Sequence, residues 1–214
     1  MMKKIVITLL LFCFYTTHAQ ITAITEKGDT ILVFENGTWS ESKTLETVTP
    51  IVSNVKVDVE VDEFSGDKKC TTKRWYKFGI NNLKYTISGW LFKKTDVIVF
   101  YIQYSDELGC FSQARSKMLV KLTNGEVIEF TQITDTECGE NEIVGFIPVS
   151  KDEMKEGDYK ELMKERIKTL KEYDWETIRL HGTEYYTDIK PNTTNSIDNP
   201  EQFFRQHIIA IESN

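Results

Sequence analysis

The side chains best able to do chemistry in this chain are its cysteines. Cys13 lies in an apolar leader, and Cys70, Cys110 and Cys138 remain beyond it. In an oxidising compartment the expected chemistry of such residues is a disulfide. Cys110 and Cys138 flank an expected hairpin, and each sits beside a glycine, Gly109 and Gly139, so a staple across neighbouring strand ends is sterically open to them. The rival pairing is Cys70 with Cys110. A thiol enzyme would need a base for Cys110, and His181 could supply one, but a bridged Cys110 has no thiolate to offer. Histidine is otherwise scarce. Only His181, expected in a turn, and His207, in a terminal helix, follow the leader, and both read as surface residues. The sequence contains no Gly-Lys-Ser/Thr loop, no Gly-x-Ser-x-Gly elbow and no Cys-x-x-Cys pair. No catalytic residue, metal ligand or cofactor is assigned on this basis.

Two other constellations bear on binding. Asp58, Glu60 and Asp62 form an acidic row, but they lack the Asp-x-Asp-x-Asp-Gly spacing that wraps ligands round one calcium ion, so they read as a solvated strand face. Aromatic residues concentrate between Trp75 and Phe111, where most belong to a core. Trp90 is the exception. On strand alternation it falls with Thr86 and Ser88, opposite Ile87 and Leu91, so it is expected to be exposed and able to stack a sugar ring or anchor a protein contact. The sequons at Asn36 and Asn192 matter only in a eukaryotic secretory route.

Lys3 and Lys4, the apolar run Ile5 to Tyr15, and Thr17-His18-Ala19 together read as a signal peptide cleaved after Ala19. The apolar run is shorter than the ~20 residues a membrane-spanning helix needs, and none like it recurs downstream. Periplasmic or extracellular residence follows as the expectation. The formal net charge is −7 and becomes more negative once Lys3 and Lys4 are removed. That acidity disfavours nucleic acid or an anionic membrane as partner, since both reward clustered Lys and Arg.

The elements that must position these residues can be read in order. Residues 20-41 form a small β-meander: strands separated by Lys27-Gly28-Asp29 and by Asn36-Gly37, the second being a strong hairpin signal. Residues 42-53, rich in Thr and Glu and ending near Pro50, form a linker. Residues 54-214 form the main domain. It opens with Val55, Val57, Val59 and Val61 alternating with charged residues, a strand with one dry face. Val97 to Tyr104 is almost continuously apolar and reads as a central strand. Met118, Val120 and Leu122 match Ile128 and Phe130 if Thr123-Asn124-Gly125 is a three-residue loop with Gly125 left-handed. Ser150 with Glu153 has capping-box spacing, as does Asp158 with Glu161, so two helical pieces meet near Gly157. Tyr159, Met163, Ile167 and Leu170 share one helix face. Glu176–Leu180 and Tyr185–Ile189 form a hairpin about His181-Gly182-Thr183. Asn199-Pro200 caps a last helix with Phe204, Ile208 and Ile211 on one stripe. The expected class is α+β: a mainly antiparallel sheet covered by C-terminal helices, preceded by the small meander.

The Ala19-Gln20 processing site, the segment from Gly28-Asp29-Thr30-Ile31 to Asn36-Gly37-Thr38-Trp39, and Asp62-Glu63-Phe64-x-Gly66 resemble uncharacterised exported proteins of Bacteroidetes-type bacteria. The resemblance implies a bacterial envelope or secreted setting and carries no catalytic residues. The functional expectation is a non-catalytic module that binds a protein or cell-surface component through its sheet face or meander, with a hydrolase or thiol enzyme, or a small-ligand carrier, as the alternatives.

Overall fold

The computed structural model describes residues 53–157 and 159–214, together with the backbone of three strands at residues 21–24, 30–33 and 39–41. The leader with its Ala19 cleavage site, the 42–52 linker segment and the Asp158 cap lie outside the described residues. The chain divides after Pro50 into two units, Met1–Pro50 and Ile51–Asn214. In the first, β1 (Ile21–Ile24), β2 (Thr30–Val33) and β3 (Trp39–Glu41) pair antiparallel in the order β1-β2-β3.

The second unit is mostly antiparallel sheet with a few helices towards its C-terminus. Its strands are β4 (Val57–Val61), β5 (Lys68–Thr72), β6 (Trp75–Ile80), β7 (Thr86–Lys94), β8 (Val97–Tyr104), β9 (Cys110–Phe111), β10 (Lys117–Leu122), β11 (Val127–Gln132), β12 (Glu137–Cys138), β13 (Ile143–Ile147), β14 (Trp175–His181) and β15 (Tyr186–Pro191). The helices are α1 (Lys151–Glu156), α2 (Tyr159–Glu172) and α3 (Phe203–Glu212), the last preceded by a 3-10 turn at Pro200–Gln202.

Sheet order explains how so many strands find partners. Hydrogen bonding runs β7-β8-β13-β11-β10-β14-β15-β6 and returns to β7, so eight strands close on themselves into a barrel, and β5 then β4 extend from one end of β7. Closure gives every barrel strand a partner on both sides over at least part of its length, and leaves β4 as the edge of the extension. Strand alternation places one set of side chains inside: Ile87, Phe100, Ile102, Met118, Val120, Phe130, Phe146, Ile178 and Leu180 are all buried. The β10–β11 loop has the expected three residues. Val120 faces Ile128, Met118 faces Phe130, and Gly125 takes φ +88°, a backbone state that costs glycine little.

Both barrel ends are stoppered. At one, α3 projects Phe203 and Phe204 into a cluster with Phe78, Phe100, Phe130 and Trp175; the Phe78 and Phe203 rings stack at 3.9 Å, and the Trp175 indole donates to the Pro200 carbonyl at 2.8 Å. The helix thus plugs the mouth rather than only lying across a sheet face. At the other end the segment between β8 and β10 folds over, burying Leu108 and Phe111. A β-carbon on Gly182 would come within 2.1 Å of the Leu108 carbonyl oxygen, so this seat admits only glycine. Cys110 and Cys138 face each other across β9 and β12 and are joined in a disulfide, while Cys70 is a buried free thiol, which overturns the rival Cys70–Cys110 pairing. The bridge fixes this cover. A Cys110→Ser/Cys138→Ser protein is expected to be less stable by about 3 kcal/mol in urea unfolding, because the bridge restricts the unfolded chain, and dithiothreitol should reproduce the loss in the parent.

Several local expectations meet their structure here. Ser150 Oγ accepts from the Glu153 N–H and the Glu153 carboxylate accepts from the Ser150 N–H, completing the capping box at the start of α1. Burial pushes the Glu153 carboxyl up, but bonds from Arg166 and Ser150 outweigh it and hold it below the usual range. Met163, Ile167 and Leu170 are buried along α2.

Others are corrected. Val59 and Val61 are exposed, because β4 is the outermost strand of the extension and runs past the core that buries Cys70 and Thr72. Asn199 adopts a left-handed conformation and makes no side-chain cap, so Pro200 opens a 3-10 turn and α3 starts three residues later. Asn192 is buried, its amide donating to the Lys77 carbonyl, which removes it as a glycan acceptor in the folded chain.

Candidate functional site

Trp90 sits in the middle of β7 on the outside of the barrel and is half-buried rather than freely exposed. Directly across the ladder on β8, the Tyr101 ring stacks on it at 5.3 Å with an 11° interplanar angle. From the β6 side, the Arg74 guanidinium lies 4.1 Å over the indole and 5.5 Å from the Tyr76 ring. Both flanks of Trp90 are therefore engaged by its own neighbours. Tyr76, 60 % exposed, is the aromatic of this group that stays open to solvent.

The titratable candidates are dispersed. His207 is fully buried on α3, against the surface reading: its Nδ1 lies 2.7 Å from Thr72 Oγ1, with Trp75 and Phe203 around its ring. Burial brings its pKa down to about 3. His181 ends β14 instead of lying in the turn, half-buried, and burial followed by the charge of Lys117 lowers its pKa. The proposed Cys110–His181 thiol pair has no thiol, since Cys110 is in the disulfide. Asp58, Glu60 and Asp62 are exposed on or beside β4, and among the described residues no three His, Cys, Asp or Glu side chains gather as a metal-ligand set.

A different surface brings charges together. On the outer wall formed by β11, β10, β14 and β15, ladder register places outward side chains in rows. Lys121 stands between Val127 and Thr177, with Lys190 beyond; Leu119 stands between Glu129 and Arg179, with Asp188 beyond. These residues, apart from Glu129, line an open concavity of about 400 Å3. Leu119 and Val127 give its lining aliphatic surface, and Lys121, Arg179, Lys190 and Asp188 give it charge.

Most of these charges are already paired. Lys117 meets Glu129 at 2.8 Å, Arg179 holds Asp188 through two contacts at 2.7 Å, and Lys121 meets Glu176 at 2.8 Å. Glu176 reaches that position because the β10–β14 register shifts between Lys121 and Leu122, leaving it as the extra residue of a bulge. Lys190 differs: its Nζ donates to Thr177 Oγ1 at 2.5 Å, and it forms no ion pair among the described residues. The bond from Lys121 holds Glu176 below the usual carboxylate range, the Arg179 fork does the same for Asp188, and Lys190 adds to both.

The gap bounded by Ile102, Tyr104, Phe111, Val144, Phe146 and Leu180 leaves no room for a water molecule. Comparison with known proteins found no matching family model, no matching curated protein and no matching solved structure.

Sequence reasoning passed over this wall because it followed apolar residues inward. The signal was nevertheless present as the complementary phase of the same alternation: Lys117, Leu119 and Lys121 against Met118, Val120 and Leu122, and Thr177 and Arg179 against Ile178 and Leu180.

Proposed function

We propose that this protein is an exported, non-catalytic binding module that holds a protein or cell-surface component against the outer wall of its barrel. One observation supports the reading: the barrel interior is filled by its own side chains, whereas the outer wall presents an open concavity lined by Leu119 and Val127 and by Lys190, which forms no ion pair among the described residues. A lumen carrier would need the space that Phe203, Phe204 and their neighbours occupy. A thiol enzyme would need an accessible thiolate, and the described cysteines are either bridged or buried. The Cys110–Cys138 bridge is compatible with residence outside a reducing cytoplasm, and no described helix is long and apolar enough to cross a membrane.

The test is photo-cross-linking in the producing cell. A benzophenone side chain at Val127, on the wall, is expected to yield a discrete adduct, and one at Tyr76, beside Trp90, is expected to yield none. Adducts from Tyr76 alone would move the binding face to the aromatic patch and overturn the assignment to the wall. Protein recovered from the envelope should begin at Gln20; recovery from the cytoplasm with Met1 retained would overturn export.

A further inference from the structure

The concavity on the wall has a polarity that specifies its ligand. Thr177 lies between Lys121 and Lys190 in one row, so the two lysine backbones are about 10 Å apart and both side chains can lean towards the Thr177 hydroxyl. Lys190 already does so. An oxyanion placed above Thr177 would accept from Lys190 Nζ and from Lys121 Nζ, the second of which is half-exposed and shared with Glu176. Beside this position, Leu119 and Val127 offer aliphatic surface, Val127 being 54 % exposed. The ligand must therefore present negative charge and aliphatic groups within one or two strand spacings of each other.

The strands at the centre of the wall offer no backbone edge. β10 and β14 are each paired on both sides, so neither can take an added strand, and recognition over them falls to side chains. A uronic-acid polymer would set hydroxyl groups over Leu119 and Val127 and leave that aliphatic surface unused. A polypeptide matches both halves, since residues two apart on an extended chain share a face at roughly 7 Å spacing.

From this we infer that the wall binds an extended segment of a partner protein in which a glutamate or aspartate sets its carboxylate between Lys121 and Lys190 and an aliphatic side chain two residues away lies on Leu119 and Val127. The inference rests on the wall being the binding face and adds the chemistry of what it holds. Lys190 is the cation waiting for that carboxylate. Arg179, locked to Asp188, shapes the side of the site and contributes no free charge.

The probe is the blocked peptide Val-Thr-Glu-Thr-Val, titrated into the isotope-labelled full chain while amide NMR shifts are followed. Saturable shifts are expected at Leu119, Val127, Thr177 and Lys190. Lys190→Met should weaken binding roughly tenfold, the effect of losing one charge-assisted hydrogen bond. The glutamine analogue Val-Thr-Gln-Thr-Val and the polar analogue Ser-Thr-Glu-Thr-Ser should each bind at least as weakly as the variant. Lys190→Arg should retain most of the affinity, which separates loss of charge from loss of fold. Equal binding of the glutamine analogue, equal binding of an oligoglucuronate, or an unchanged affinity in Lys190→Met would each overturn the inference. A wall that cross-links to a cellular partner but ignores the peptide would defeat this inference alone, whereas a wall without any adduct would defeat the reading beneath it.

Discussion

Acidification from pH 7 to pH 4 is expected to cost this protein about 3 kcal/mol of folding stability through His207 alone, and His207→Phe should remove that dependence. The imidazole is wholly enclosed, and burial, the cause of its shift, brings the folded pKa to about 3. In the unfolded chain the ring titrates near 6.5, its ordinary value. A base whose folded pKa is depressed contributes its full stability above the unfolded value. The contribution is lost as pH falls from 6.5 towards 3, because over that window the unfolded state takes up a proton that the folded state refuses. The limiting loss is roughly 5 kcal/mol, comparable with the whole stability of many domains.

Hydrogen bonding shows why the ring stays neutral. Thr72 Oγ1 accepts from the Leu91 N–H at 2.8 Å and lies 3.4 Å from the Leu91 carbonyl, so it can also accept from a protonated Nδ1. That tautomer leaves a lone pair, not an N–H, unsatisfied at the buried Nε2. Protonating Nε2 would strand both a donor and a charge among Trp75 and Phe203. Urea unfolding at pH 7 and pH 4 checks the expectation. Other carboxylates, Glu153 among them, titrate in both proteins, so the quantity that decides is the difference in pH slope between parent and His207→Phe. Equal slopes would show that His207 is solvated in the folded state.

His207 also marks where the sequence stopped being informative. A lone histidine on a helix with Phe204, Ile208 and Ile211 looks like the polar edge of an amphipathic stripe, and nothing local says that α3 will enter a barrel mouth, where neighbours surround it on most sides. Barrel closure has the same origin. It depends on contacts between β7 and β8, neighbours in sequence, but also on β6 meeting β15 through only Ile80–Lys190 and Gly79–Pro191, more than a hundred residues apart. Local patterning carries no trace of so short and remote a ladder. By contrast, the Thr123-Asn124-Gly125 loop could be read because one register aligns apolar pairs and the other opposes Val120 with Glu129. The Cys110–Cys138 bridge was legible as a candidate from flanking glycines and hairpin context. The wall was half-legible: each strand announces its outward polar phase, but the order β11-β10-β14-β15, which turns four separate phases into one charged surface, is a tertiary fact. Trp90 illustrates the opposite limit, since alternation assigned its face while Tyr101 of β8 and Arg74, from the connection before β6, occupy its flanks through placements that alternation cannot supply.

Phe203→Ala is expected to be the most damaging single truncation in the fold, at about 3–5 kcal/mol, with cooperativity of unfolding reduced as well. Phe203 is fully buried, stacks on Phe78, meets Phe204 edge-on at 5.2 Å, and touches both Trp75 and His207. The Gly89 backbone comes so close that a β-carbon there would lie 2.9 Å from the Phe203 ring. Relaxation into the vacated space is hindered on every side: barrel strands are tied by their ladders, and the start of α3 is fixed by the Trp175 bond to the Pro200 carbonyl. A cavity therefore persists, and its volume adds to the lost transfer free energy. Phe203→Leu, which keeps most of the apolar volume, should cost less than half as much. Because α3 covers β5 as well as the mouth, the truncated protein should also lose protection of amides in α3 and β5 before those of β10, β11 and β14, a sequence that hydrogen exchange reads directly. Uniform loss of protection across the barrel would mean that α3 folds as one unit with all the strands and is not a separable plug.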